Sequence, residues 1–160
     1  MIRYRIDTET ILSIEDNAIN KMLKYCQKKG LYESGGILLG KCRKDYSEFI
    51  ITDVSEPCSR DKRGIYYFIR DKENAQKVIN EKWQQSNGEI NYLGEWHTHP
   101  EIIPKPSFLD RKLLKECLIN NKYPFHGLFM IIVGIEGDLY VGYQTKEMKN
   151  LKQLQKIEKR

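Results

Sequence analysis

Residues 95–110 read EWHTHPEIIPKPSFLD. His97 and His99 are two of the chain's three histidines, and Asp110 follows the second by eleven positions. Side chains alternate along a strand, so His97 and His99 share one face about 7 Å apart along the chain, while Thr98 points the other way. Two imidazoles on one face can converge on a single ion. Imidazole suits Zn²⁺, and Asp110 can add an oxygen ligand at the start of the next helix. Three protein ligands with a fourth position open is the arrangement of catalytic rather than structural zinc. Each residue also has a plainer role available. An H-x-H pair can make ordinary hydrogen bonds, and Ser107-Phe-Leu-Asp110 fits the S/T-x-x-[DE] capping pattern, which needs no metal. The combination of a same-face histidine pair, a proline-fixed loop and an acid at a helix start favours the metal.

The elements that must position these groups follow from periodicity. NYLGEWHTH (91–99) reads as a strand, and PEIIPKP (100–106) as a proline-rich turn. Ser107 to about Asn121 reads as a helix with Leu109, Leu113, Leu114 and Leu118 as its apolar stripe. Upstream, IRYRI (2–6) and TILSI (10–14) alternate as strands. A helix is predicted from Ser13 or Glu15 to Lys29, with Ile19, Met22, Leu23 and Cys26 on one face and Gly30 as its stop. LYESGGILLG (31–40) and YSEFIITDV (46–54) predict a buried strand and its neighbour. SEPCSRDKRG (55–64) reads as a loop and IYYFI (65–69) as a strand. Asp71 caps a helix to about Ser86, with Ala75, Val78, Ile79 and Trp83 on one face. GLFMIIVG (127–134) and LYVGYQT (139–145) predict a hairpin around IEGD. The class is α+β with one core.

Composition sets the remaining bounds. The 160 residues, 40% hydrophobic and 31% charged, suit one globular domain. No apolar run approaches the roughly 20 residues that span a bilayer, so no membrane partner is expected. The N-terminus has no apolar region of a secretory signal, and Cys26, Cys42, Cys58 and Cys117 form no C-x-x-C pair. Reduced thiols and a cytoplasmic location are expected. Most of the net charge of +5 lies in residues 146–160, KEMKNLKQLQKIEKR, where Leu151, Leu154 and Ile157 recur every third position. This segment is read as a basic C-terminal helix or tail; nucleic acid is disfavoured because no interleaved aromatics or known module accompany it.

HTHP at 97–100, followed by Pro106-Ser107 and Asp110, resembles the motif of the JAMM (JAB/MPN-plus) zinc metalloproteases: an upstream glutamate, H-x-H-P, and S-x-x-D with ten residues between the second histidine and the aspartate, supplied here by positions 100–109. Glu33 in ESGGILLG matches the upstream glutamate. The resemblance covers the chain to about residue 145, and it implies a single MPN/JAB domain (1–145) with a central curved, mostly antiparallel sheet flanked by helices in a cytidine-deaminase-like arrangement. It implies His97, His99 and Asp110 as zinc ligands with water in the fourth position, Glu33 as general base, and Ser107 as a donor to the tetrahedral intermediate. Spacing alone leaves Glu95 and Glu101 open as bases; the resemblance selects Glu33. Glu95, on the His97 face, is expected to orient an imidazole through its remaining N–H. His126 is expected to be unrelated. A zinc nucleotide deaminase would need H-x-E with P-C-x-x-C, and neither is present.

The resemblance further implies cleavage of a peptide or isopeptide bond after the C-terminal residue of a protein tail, threaded extended beside the zinc, with an added strand on a sheet edge as one mode. The run GEWHTHPE is similar to stand-alone prokaryotic deconjugating peptidases of anti-phage cyclic-oligonucleotide (CBASS) operons, whose substrate is a nucleotidyltransferase (CD-NTase) joined to targets through its C-terminus. Two alternatives stay open at this stage. One is a peptidase for ubiquitin-like sulfur carriers; the other is a non-catalytic MPN interaction module.

Overall fold

Why does so much of this chain become one sheet? Seven of the predicted strand segments carry β-branched or aromatic residues at positions that end up buried, and each needs a partner for its backbone. In the computed structural model, which describes residues 1–28 and 30–159, eleven strands and three helices result. They are β1 (Ile2–Arg5), β2 (Ile11–Ile14), α1 (Asp16–Leu23), β3 (Gly35–Cys42), β4 (Glu48–Val54), β5 (Lys62–Arg63) and β6 (Phe68–Ile69), then α2 (Lys72–Gln85), β7 (Asn91–Thr98), α3 (Phe108–Asn120), β8 (Gly127–Val133), β9 (Leu139–Thr145), β10 (Lys152–Gln153) and β11 (Gln155–Lys156).

Nine strands form one sheet in the order β10-β9-β8-β7-β3-β4-β2-β1-β11. Only the β2–β4 and β7–β8 pairs are parallel, so the sheet is mostly antiparallel as expected. Because only Leu154 separates the outermost strands in the chain, the sheet curls until its two edges nearly meet. Its two faces bury two apolar clusters. One centres on Leu12, Ile14, Met22 and Trp96 beneath α1; the other holds Ile37, Leu114, Leu118 and Ile132 beneath α2 and α3. Among the described residues no helix is long and apolar enough to cross a membrane.

Three sequence expectations are corrected. The first helix stops at Leu23, and Tyr25 and Cys26 donate back to Met22 and Leu23 in tight turns. Gln27 is buried and ties Leu31 O and Ile65 O together, a long-range contact that competes with further helix. The predicted last helical residue, Lys29, lies outside the described residues, as does Arg160. IYYFI is not a continuous strand: only Phe68 and Ile69 pair, with Arg63 and Lys62 of the predicted loop, and Tyr66 is left exposed. Residues 146–160 contain no helix among those described. Leu151 and Leu154 are buried, and the short strands on either side of Leu154 seal both sheet edges against β9 and β1. The every-third leucines are buried by this crossing strand path, with Lys152 and Lys156 left exposed.

Candidate metal centre

β7 lies in the middle of the sheet between β3 and β8, so its C-terminal end is held on both sides. His97 lies opposite Gly35 on β3 and beside Ile132 on β8, and His99 N–H continues the parallel register by donating to Val133 O at 3.0 Å. Alternation aims both imidazoles to one side. Thr98, buried on the other side, accepts Ser34 N–H at its Oγ1 (3.0 Å) and donates its own N–H to Ser34 O (2.8 Å). The Gly35–Gly36 pair lets this packing close: a Cβ on Gly35 would meet Trp96 O at 2.5 Å and the Phe68 ring at 2.7 Å.

α3 brings the carboxylate. Ser107 is its N-cap, and its Oγ accepts Asp110 N–H at 3.1 Å, while Asp110 Oδ2 accepts Ser107 N–H at 2.7 Å. This capping box does not compete with a role at the histidines, because the same carboxylate serves both. Asp110 Oδ1 lies 3.1 Å from His97 Nε2, Oδ2 lies 3.0 Å from His99 Nε2, and the two Nε2 atoms are 3.1 Å apart. The three side chains thus form a close triangle, with Asp110 reaching the two imidazoles through different oxygens. Ligand atoms about 2.0–2.1 Å from one tetrahedral ion stand roughly 3.3 Å from each other, a separation near these.

Glu33 sits beside this triangle at 2% exposure. Its Oε1 is 3.7 Å from His99 Nε2, and its Oε2 has no hydrogen-bond partner. Ligand atoms of Glu33, His97 and His99 all lie within 4.8 Å of one another. A buried carboxylate oxygen without a donor is costly, and a coordinated water or cation beside it would relieve that cost. The donor set of two imidazoles and carboxylates therefore fits a divalent metal.

The electrostatics agree. Burial pushes the Glu33 carboxyl up to about 8; the nearby His99 opposes this, and Asp110 and Glu101 add to it. Burial works against a charged His99, yet hydrogen bonds and charge from Asp110, with help from Glu101 and Glu33, raise it to about 9. Burial likewise opposes ionisation of Asp110, but the two imidazoles and the Ser107 N–H hold it far below the ordinary carboxylate range. So much negative charge facing two imidazoles is what a cation would replace protons to satisfy.

All five predicted residues converge here, Ser107 at the exposed mouth and the other four buried. The orienting role expected of Glu95 falls to Glu101. Glu95 touches no imidazole: it is bound by Arg70 Nε at 2.8 and 2.9 Å, Tyr92 O–H at 2.8 Å and Cys117 Sγ at 3.3 Å. Glu101 orients His99 instead, with its Oε1 2.7 Å from Nδ1. Continuing the two-residue alternation 97–99–101 through Pro100 would have pointed to it. His126 is exposed and stands apart from the site. Arg63, unremarked in the sequence, donates through Nε to Glu33 O and through Nη2 to Ser34 Oγ, both at 2.7 Å. A cavity of about 120 Å³ adjoins the centre, walled by His97 and Asp110 with Phe68, Leu113 and Met130.

A sequence profile of prokaryotic homologs of the JAB domain matches residues 15–149, a span that takes in every residue of this centre. The chain belongs to this prokaryotic JAB family. Its curated relatives include proteins named CD-NTase/cGAS isopeptidase. One from Escherichia coli (strain TW11681) is 41% identical over 75% of this chain and 73% of its own length. One from Vibrio cholerae is 29% identical over 91% of this chain and 89% of its own. A probable metalloprotease from Sinorhizobium fredii is 29% identical over 68% of this chain and 66% of its own. A solution structure of a Desulfitobacterium hafniense protein superposes with a TM-score of 0.58 at 17% identity, covering 89% of this chain and 88% of that one, a likeness of fold. This JAB chain is a JAMM-type hydrolytic enzyme.

Proposed function

We propose that the chain is a zinc-dependent isopeptidase that releases a CD-NTase from the proteins to which its C-terminal tail has been joined, as part of a CBASS anti-phage system. The observation that carries this reading is the 3.0–3.1 Å triangle of His97, His99 and Asp110 beside the buried, unpaired carboxylate of Glu33. The relatives named for CD-NTase supply the substrate. Four cysteines, all free, suit a reducing cytoplasmic setting.

His97, His99 and Asp110 would hold the ion, and Glu101 would fix the His99 ring. A bound Zn²⁺ supplies Lewis acidity and lowers the pKa of a coordinated water towards about 7. Glu33 accepts the proton of the attacking water at its carboxylate and returns it to the departing amine nitrogen as the C–N bond breaks. Ser107 keeps its O–H uncommitted while its lone pair caps α3, so it can donate to the carbonyl oxygen as negative charge develops there. Glu33 is assigned as base by its match to the upstream glutamate of the JAMM motif; its Oε1 stands 3.7 Å from His99 Nε2, against 3.0 Å for Asp110 Oδ2.

The test is cleavage of a CD-NTase fused through its C-terminus to green fluorescent protein, with and without chelator. The reading expects release that chelation stops and zinc restores. A preparation that binds zinc, leaves this fusion whole and instead cleaves a ubiquitin-like sulfur-carrier fusion would overturn the substrate assignment.

A further inference from the structure

Glu33 lies in the irregular stretch before β3, outside any strand ladder. Its carboxylate has no hydrogen bond to aim it: Oε2 is unpartnered and Oε1 has only the 3.7 Å contact to His99. The direction of that side chain therefore depends on its main chain. Both main-chain polar groups of Glu33 bond to one place, the β5–β6 hairpin. Glu33 N–H donates to Gly64 O at 2.8 Å, and Glu33 O accepts from Arg63 Nε at 2.7 Å. The same guanidinium reaches Ser34 Oγ with Nη2, so two of its nitrogens grip consecutive residues. The hairpin is small, two residues per strand, and a two-stranded ribbon of that size has little stability alone.

We propose that Arg63 is the positioning residue for the general base: by holding the Glu33 carbonyl and the Ser34 hydroxyl together, it aims the Glu33 carboxylate at the metal centre. The proposal rests on the reading of Glu33 as base. A planar guanidinium suits the task because its donors are fixed relative to one another, so both acceptors are located at once. Lysine presents a single ammonium on a flexible stem and can satisfy one of the two acceptors well.

The experiment compares Arg63→Ala, Arg63→Lys, Glu33→Asp and Arg63→Ala/Glu33→Asp with the unaltered zinc-loaded chain on the CD-NTase–fluorescent-protein fusion. Metal content and backbone amide exchange are followed in parallel. A displacement of the base by about 1 Å can cost on the order of 10²-fold. The expectation is a kcat loss of roughly 10- to 100-fold for Arg63→Ala with KM and zinc content unchanged, and partial recovery in Arg63→Lys. In the double variant Arg63→Ala should add little to Glu33→Asp, because both act through one carboxylate. The Glu33 amide should exchange at least about 10-fold faster in Arg63→Ala while the β7 amides keep their protection. Arg63→Ala within about twofold of the unaltered rate, fully multiplicative losses in the double variant, or loss of zinc from both Arg63 variants would each overturn the assignment. If the unaltered chain holds zinc but leaves the fusion whole, the proposed activity is what falls. The exchange measurement then decides the clamp separately: unchanged Glu33 protection in Arg63→Ala would overturn it.

Discussion

The ligands and the base of this centre are supported by two very different pieces of structure. His97 lies at the end of a central strand flanked on both sides and His99 just past it, still bonded to β8, and Asp110 is locked by a helix cap. Glu33, a few ångströms away, sits on irregular chain gripped by a hairpin of two-residue strands. A metal site needs its donor atoms fixed within tenths of an ångström, and strand registry with helix capping provides that. A base that collects and returns a proton needs an aimed carboxylate free of competing hydrogen bonds. Irregular backbone can present one, and side-chain contacts from elsewhere then have to hold it.

The contrast can be broken most severely at the ligands. His97→Ala should lose bound zinc and all hydrolysis, measured by elemental analysis and fusion cleavage; retention of stoichiometric zinc would show that the triangle is not the site. Glu33→Ala should keep the metal and lose roughly 10²–10⁴ in rate, the range for a positioned acid–base group. Should it lose the metal instead, Glu33 is a ligand and the division between the two regions disappears. Ser107→Gly should lower kcat on the order of 10²-fold, as for one oxyanion donor, while costing only a few tenths of a kcal/mol in stability, since glycine caps almost as well. Equal rates for Ser107→Gly and the unaltered chain would leave Ser107 as a cap alone.

The smallest effect sharpens the comparison furthest. Glu101→Ala should weaken zinc binding about 10- to 100-fold, the usual cost of removing a group that orients a ligand histidine. Glu95→Ala should leave zinc affinity alone. It should instead lower stability on the order of 3 kcal/mol, because Arg70, only 18% exposed, loses its partner in a largely buried pair. Calorimetric titration with zinc and thermal melts of the two variants separate these outcomes. Reversed results would return Glu95 to the role that strand alternation suggested.

Much of this division was legible in the chain itself, and the reason is distance along it. The same-face histidines follow from strand alternation, the Ser107–Asp110 cap from helix geometry, and α2 with its Asp71 cap from the same rules. These are relations within a few residues, which backbone geometry imposes wherever the segment lies. Glu33 is identified through its likeness to a known motif, since it lies 64 positions before His97. What the fold alone decided are relations between distant segments. Glu95 is claimed by Arg70, 25 residues away, and so cannot serve the histidines. Leu151 and Leu154 are spaced as in a helix, but two sheet edges without partners took their backbone into strands. Arg63 reaches Glu33 across 30 residues, and nothing near either one announces it. Hydrogen bonds between distant segments depend on where the whole chain places them, and no local pattern encodes that placement.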